Sequence, residues 1–68
     1  MSVTISVNGE QKDYKGPMTM GGLLQSLGIN ARSVAVERNL KIVARAELEL
    51  EPIADGDVIE IIRLVGGG

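Results

Sequence analysis

The chain ends in three consecutive glycines, Gly66, Gly67 and Gly68, and these residues have the clearest potential for chemistry. Glycine has no side chain to pack and orders poorly, so we expect a flexible tail at residues 66–68 after a folded domain at residues 1–65. A frayed end or a cloning remnant would also explain three glycines. However, a bare peptide that ends in a carboxylate suits a narrow channel in another protein, where any side chain would collide.

A carboxylate is a poor electrophile until it is activated. If the Gly68 carboxylate attacked the α-phosphate of ATP, it would form an acyl-adenylate whose carbonyl accepts sulfur or an amine. The sequence has neither a P-loop nor a GxGxxG motif, and no helix follows the glycines to bind a phosphate. We therefore expect the tail to be a substrate. A partner enzyme would supply ATP and magnesium, and this chain would bind no cofactor.

Composition removes most catalytic alternatives. The 68 residues include no histidine and no cysteine, which excludes Ser-His and Cys-His nucleophiles and disulfides and argues against zinc or iron sites. The net charge of −2 argues against nucleic acid. No apolar run is long enough to span a membrane, and the N-terminus does not resemble a signal peptide. We predict a cytoplasmic protein that is monomeric alone and is not an enzyme.

The first half of the chain predicts a hairpin and a helix. Val3, Ile5 and Val7 alternate with polar residues, as in a half-buried strand, and Asn8-Gly9 is a strong hairpin signal before a second strand at residues 10–15. In that strand, Tyr14 is the residue expected to reach the core, and Gly16-Pro17 ends it. A helix is expected at residues 19–27. Thr19 is its predicted N-cap, and Gly28 is the left-handed residue that ends it, with Ile29 packed back beyond that end. The apolar face of the helix is formed by Met20, Leu23, Leu24 and Leu27.

Three more strands are expected in the second half, at residues 33–38, 41–43 and 58–65, with a tight turn at Asn39-Leu40. Residues 47–52 are interpreted as a loop or a single helical turn. The resulting order, β-β-α-β-β-β, predicts an α+β protein of the β-grasp class. Its mixed sheet of about five strands has one helix on one face, and its first and last strands lie side by side in parallel at the centre.

Several segments together resemble the sulfur carrier proteins of thiamine biosynthesis, a family of ubiquitin-like proteins. They are VNG at residues 7–9, VAVERN at 34–39, DGDVIEII at 55–62 and VGGG at 65–68. Each segment is a weak signal alone, but their order and spacing over the whole chain are specific. The segment at residues 44–52 offers little to match.

The resemblance implies a pathway. An adenylating activating enzyme would act on Gly68, and a persulfide relay through a cysteine desulfurase would convert it to a thiocarboxylate. Thiazole synthase would then take the sulfur into the thiazole ring of thiamine. Gly67 and Gly68 match the family's terminal pair, and Gly66 extends the reach of the tail. The open alternatives are a related carrier for molybdopterin synthesis, tRNA thiolation or protein conjugation, and a non-catalytic β-grasp interaction module with an inert tail.

The last strand predicts a partner-binding face. With Ile59 and Ile61 in the core, Glu60, Ile62 and Leu64 lie on the outer face and lead into the tail. The alternative is that a curled sheet covers the outer apolar residues. The acidic residues of the second half are interpreted as a solvated surface or, alternatively, as a patch that steers a basic partner: Glu47, Glu49, Glu51, Asp55, Asp57 and Glu60.

Overall fold

The computed structural model describes residues 2–65. Seven strands and one α-helix follow one another along the chain. They are β1 (Ser2–Val7), β2 (Glu10–Lys15), β3 (Met18–Thr19), α1 (Met20–Ser26), β4 (Val34–Arg38), β5 (Lys41–Val43), β6 (Pro52–Ile53) and β7 (Val58–Arg63). Single 3₁₀ turns occupy Ala31–Ser33 and Arg45–Glu47.

Five strands form the main sheet, in the order β2-β1-β7-β4-β5. Strands β1 and β7 are parallel, and every other neighbouring pair in this sheet is antiparallel. The first and last strands of the chain are therefore neighbours near the middle of the sheet, as predicted. This arrangement confirms the α+β β-grasp architecture and makes β7, which leads into the tail, an internal strand.

One aliphatic core lies between the sheet and the helix. The alternating residues Val3, Ile5 and Val7 of β1 are buried against Leu23 and Leu24 of α1 and their neighbours. Burial of each such side chain contributes roughly 1.5–3 kcal/mol. Tyr14 and Leu27 pack against the rim of this core, as the sequence predicted. The buried apolar set is completed by Met20, Val34, Val36, Val43, Leu48, Ile53 and Ile59.

Both helix ends have the predicted caps. The Thr19 hydroxyl accepts a hydrogen bond of 3.2 Å from the Gly22 amide. At the other end, the Ile29 amide donates to the Leu24 carbonyl at 2.9 Å and the Gly28 amide donates to the Gln25 carbonyl at 3.1 Å. This pair of bonds is the Schellman arrangement, which needs a left-handed residue, and Gly28 has φ +71°.

A second, two-stranded sheet was not predicted. β3 pairs with β6 through Met18 opposite Ile53 and Thr19 opposite Pro52. Two-residue strands are too short to show an apolar period, so no sequence pattern predicts them. The amide of Met20 also donates to the Glu51 carbonyl at 2.8 Å. These contacts hold the segment before β6 against the start of the helix.

Strand ends differ slightly from the predicted ones. The 3₁₀ turn delays the start of β4 to Val34, and β7 ends at Arg63 instead of residue 65. The expectation of a loop or a helical turn at residues 47–52 fits the 3₁₀ turn that ends at Glu47 and the turns after it. Within residues 2–65, α1 is the single α-helix, and neither it nor the 3₁₀ turns have the length and apolarity needed to cross a membrane.

Candidate functional site: the base of the C-terminal tail

Strand β7 and the residue that follows it are held in the sheet as far as Leu64. Arg63 lies opposite Val34 on β4, and the Leu64 amide donates a 2.9 Å hydrogen bond to the Ser33 carbonyl. Val65, the next residue, is almost fully exposed. The predicted tail at residues 66–68 lies outside the described residues. The folded body therefore fixes the position and direction of the chain up to Leu64.

On its other side, β7 is held by the side chain of Asn8. The Asn8 amide nitrogen donates to the Ile61 carbonyl at 3.2 Å, and its amide oxygen accepts from the Ile61 backbone N–H at 2.8 Å. Its own backbone N–H donates to the Ile59 carbonyl at 3.0 Å. Asn8 thereby extends the parallel β1–β7 pairing beyond the end of β1. Sequence reasoning identified Asn8 only as a turn residue, because a turn signal does not show where the amide bonds.

The predicted register of β7 is confirmed. Ile59 is completely buried and Ile61 packs at the edge of the core, although it is partly exposed. Glu60 is exposed, and Ile62 and Leu64 each keep about half of their surface accessible. The alternative in which a curled sheet covers these two residues is wrong. Their role in partner binding stays a prediction.

The face of the sheet opposite the helix carries apolar residues around two carboxylates. Ile62 lies opposite Ala35 of β4, and Glu60 lies directly opposite Glu37. Glu37 in turn lies opposite Ile42 of β5. The outer face of β7 is thus continuous with the outer faces of β4 and β5, and it has an acidic centre with apolar surroundings.

At the start of β7, an ion pair between a partly exposed arginine and a buried carboxylate joins three parts of the chain. Asp57, which is 6% exposed, accepts hydrogen bonds from Arg38 Nε at 2.6 Å, from the Asn39 amide nitrogen at 3.0 Å and from the Ala54 backbone N–H at 2.8 Å. Arg38 also forms an ion pair with Glu51 at 3.2 Å. The network locks the turn before β7 to the end of β4.

The network lowers the pKa of Asp57. Burial alone would raise the pKa of this carboxyl, but the hydrogen bonds from Arg38, Ala54 and Asn39 outweigh burial and hold its pKa below the usual value. The hydrogen bond to Asp57 also raises the pKa of Arg38.

The interpretation of the acidic residues as one solvated surface is wrong for Asp57, which is buried, and for Glu51, which is half-buried and paired. It holds for Glu47, Glu49, Asp55 and Glu60, which are exposed.

The mixed sheet with a parallel pair at its centre and one helix across one face defines a ubiquitin-like β-grasp protein. More narrowly, the chain belongs to the ThiS family, whose model matches residues 5–68 and so includes the glycine tail. The structure is also similar to the crystal structure of the thiamine biosynthesis protein ThiS from Geobacter metallireducens. The TM-score is 0.84 at 29% identity, over 97% of this chain and 100% of that one.

Three sequence relatives are similar to this chain over more than nine-tenths of its length. The sulfur carrier protein ThiS of Thermus thermophilus is 34% identical over 62 residues, which cover 91% of this chain and 95% of that protein. The thiazole synthase of Paramagnetospirillum magneticum is 44% identical over 62 residues, or 91% of this chain. The chain spans only 19% of that synthase and 20% of a second thiazole synthase, from Magnetococcus marinus.

Proposed function

We propose that this chain is a protein sulfur carrier for thiamine biosynthesis and that it acts as a co-substrate instead of an enzyme. One observation carries the proposal: the match to the ThiS family extends through Gly68, directly after a strand that the sheet holds up to Leu64. A rigid body that ends in glycines can present a carboxylate to another protein's active site. The name of the Thermus thermophilus relative, a sulfur carrier protein, agrees with this role.

The proposed chemistry takes place at the Gly68 carboxylate. A carboxylate oxygen attacks the α-phosphate of ATP, which releases pyrophosphate and forms an acyl-adenylate. The terminal sulfur of a protein persulfide then attacks the acyl carbon and displaces AMP, so that two sulfur atoms join the acyl group to its donor. A partner thiol cleaves that sulfur–sulfur bond. This cleavage leaves a thiocarboxylate on Gly68 and a disulfide on the partner.

The reach of the tail limits how partners can dock. The five residues 64–68 span at most about 17 Å when fully extended. A partner that reacts with Gly68 must therefore contact the surface around the end of β7. Glu60, Ile62 and Leu64 lie there on the accessible outer face, and we assign them to partner binding.

We propose three partners: an adenylating activating enzyme that uses ATP and magnesium, a cysteine desulfurase relay that supplies the persulfide, and thiazole synthase as the sulfur acceptor. The matches to part of two thiazole synthases support the last of these. In those proteins, a segment similar to this chain belongs to the same polypeptide as the rest of the synthase. This arrangement suits a carrier that delivers its sulfur to that enzyme.

The proposal is tested with the protein as it occurs in its own cells. Mass spectrometry of the intact chain should reveal a fraction whose C-terminal peptide is heavier by the difference between sulfur and oxygen. ATP–pyrophosphate exchange with the activating enzyme should require the chain, and removal of Gly67 and Gly68 should abolish it without changing the melting temperature. Exchange that survives the truncation would contradict the proposal. A thiocarboxylate that thiazole synthase does not consume would point to one of the other carrier pathways.

A further inference from the structure

We propose that Asn8 is a positioning residue for the reaction at Gly68. Its side-chain amide holds the last part of β7, residues 61–63, and so sets the direction in which a docked carrier presents its tail. The inference rests on the proposed function, because it concerns the same tail. It does not concern where a partner docks. Asn8 acts through β7 and determines how often a docked carrier has its carboxylate in place to react.

The sheet leaves one side of β7 without a partner strand. The parallel pairing with β1 ends where Val7 lies opposite Ile59, and the chain then turns away at Asn8 and Gly9. Strand β7 continues to Arg63, and on its other side β4 stays paired with it to that point. Backbone groups on the unpaired side need other hydrogen-bond partners. The last part of β7 would otherwise be an edge, held by one neighbouring strand.

The side chain of Asn8 takes the place of the missing strand. Its amide nitrogen donates to the Ile61 carbonyl at 3.2 Å, and its amide oxygen accepts from the Ile61 backbone N–H at 2.8 Å. A carboxamide carries a donor and an acceptor, as a peptide group does, so the two bonds imitate the next step of a parallel ladder. Both bonds join residues that are 53 positions apart in sequence. They tie the first hairpin to the last part of β7.

The turn itself does not require a carboxamide at this position. Val7 pairs with Glu10, so Asn8 and Gly9 form a two-residue turn, and both have positive φ, at +50° and +85°. These angles are those of a type I′ turn, whose first position accepts asparagine, aspartate or glycine. At neutral pH, asparagine alone of these three can both donate to Ile61 and accept from it. The contact with β7, and not the turn, therefore explains the carboxamide.

Contacts on opposite sides of β7 fix the end of the strand. On the β4 side, the Leu64 amide donates to the Ser33 carbonyl at 2.9 Å. On the β1 side, Asn8 holds Ile61 through both of its backbone groups. A strand held from one side can pivot about that side, whereas hydrogen bonds on both sides fix its direction. Without the side chain of Asn8, the end of β7 would keep only its hydrogen bonds with the β4 side, as far as residues 2–65 show.

The length of the tail magnifies any change in this direction. Residues 64–68 span at most about 17 Å when extended, so a pivot of about 10° at the end of β7 displaces the carboxylate by about 3 Å. A misplacement of about 1 Å can slow a reaction about a hundredfold. A partner that holds the folded body would therefore find Gly68 in place less often. The loss falls on the rate of the docked complex, whereas the affinity for the body changes little.

The test compares three variants in ATP–pyrophosphate exchange with the activating enzyme, at a temperature where all of them are folded. Asn8→Gly keeps the turn and removes both bonds to Ile61. Asn8→Asp keeps the turn and the shape of the side chain, but it places a second acceptor against the Ile61 carbonyl. Each should lower the rate at saturation at least fivefold and change the KM for the carrier less than twofold. Thr19→Ala is the matched control. It also removes a side chain that bonds the backbone, so it should lower the melting temperature and leave both constants unchanged.

Hydrogen exchange of backbone amides, measured by NMR on the chain alone, gives an independent readout. The Leu64 amide should exchange with solvent at least tenfold faster in Asn8→Gly than in wild type, because the end of β7 then opens more often. In Thr19→Ala this amide should keep its wild-type rate, because the helix cap does not contact the end of the strand.

Separate outcomes distinguish the two proposals. If the wild-type chain supports no pyrophosphate exchange, the proposed function fails and this inference fails with it. If the wild type is active and Asn8→Gly keeps the wild-type rate at saturation, only this inference fails. It is also overturned if the Leu64 amide stays protected in Asn8→Gly, if the loss appears only as a higher KM, or if Thr19→Ala slows the reaction as much.

Discussion

Arg38 Nε and the buried carboxylate of Asp57 are 2.6 Å apart, although the two residues are separated by 19 positions in sequence. The contact joins the end of β4 to the turn that precedes β7. Since β7 leads to the tail, this ion pair fixes the starting point of the strand that presents Gly68. It also supports the turn that holds Leu40.

Asp57 should make the stability of the domain depend on pH. Hydrogen bonds from Arg38, Ala54 and Asn39 hold the pKa of the folded Asp57 below that of the unfolded chain. The stabilisation is therefore fully present above the unfolded pKa and is lost as the pH falls through the folded pKa. Asp57→Asn should lower the free energy of unfolding by about 1–3 kcal/mol at pH 7, and this difference should shrink at acidic pH.

Denaturant titrations of both proteins at pH 7 and at acidic pH measure this difference. Glu47→Gln is the control, because Glu47 is exposed, and it should leave stability almost unchanged at either pH. A difference between wild type and Asp57→Asn that stayed constant with pH would show that packing, and not the charge of Asp57, carries the effect.

Two glycines should respond to alanine in opposite directions. A Cβ at Gly22, in the first turn of α1, would lie 3.6 Å from the Thr19 hydroxyl, an ordinary contact. Gly22→Ala should raise stability by roughly 0.5–1 kcal/mol, because alanine is the better helix former. A Cβ at Gly16 would lie only 2.6 Å from a methyl group of Val3 in the core. Gly16→Ala should cost about 1–3 kcal/mol. Thermal melts measure the stability of both variants. If the two variants shifted the melting temperature equally, the predicted clash at Gly16 would be wrong.

Two isoleucines on opposite faces of β7 should separate folding from binding. Ile62→Glu places a charge on the open face, so it should change stability by less than about 1 kcal/mol. It should weaken binding to the activating enzyme at least tenfold, or about 1.4 kcal/mol. Ile59→Glu would bury a charge at a fully buried position and should unfold the domain. Circular dichroism and calorimetric titration measure the two effects. If Ile62→Glu binds as tightly as wild type, Ile62 is not part of the docking face.

Side chains at Gly67 should reduce activity in proportion to their size. A Cβ disfavours positive φ and widens the peptide, so Gly67→Ala, Gly67→Val and Gly67→Leu should support progressively slower ATP–pyrophosphate exchange. Their melting temperatures should agree with wild type. Leu50→Ser is the control, because it removes an exposed side chain outside the tail, and it should support normal exchange. If Gly67→Leu is adenylated like wild type, the argument for a narrow channel is wrong.

Much of this architecture can be predicted from local sequence patterns. The alternation of Val3, Ile5 and Val7, the Asn8-Gly9 turn and the Thr19 and Gly28 caps predict elements whose signals lie within a few neighbouring residues. The register of β7 was also predictable, because the opposite register would have buried Glu60 without a partner. The glycine tail is likewise a feature of sequence.

Contacts between distant segments could not be predicted from local sequence patterns. The sequence contains an acidic run, but it does not reveal that Asp57 turns inward to Arg38 while Asp55 stays exposed. It contains an asparagine in a hairpin turn, but not the two hydrogen bonds by which Asn8 extends β1 along β7. The β3–β6 pairing and the opposition of Glu37 and Glu60 depend on which strands become neighbours. A side chain's partners follow from the folding of the whole chain, whereas periodicity and caps follow from the geometry of a single element.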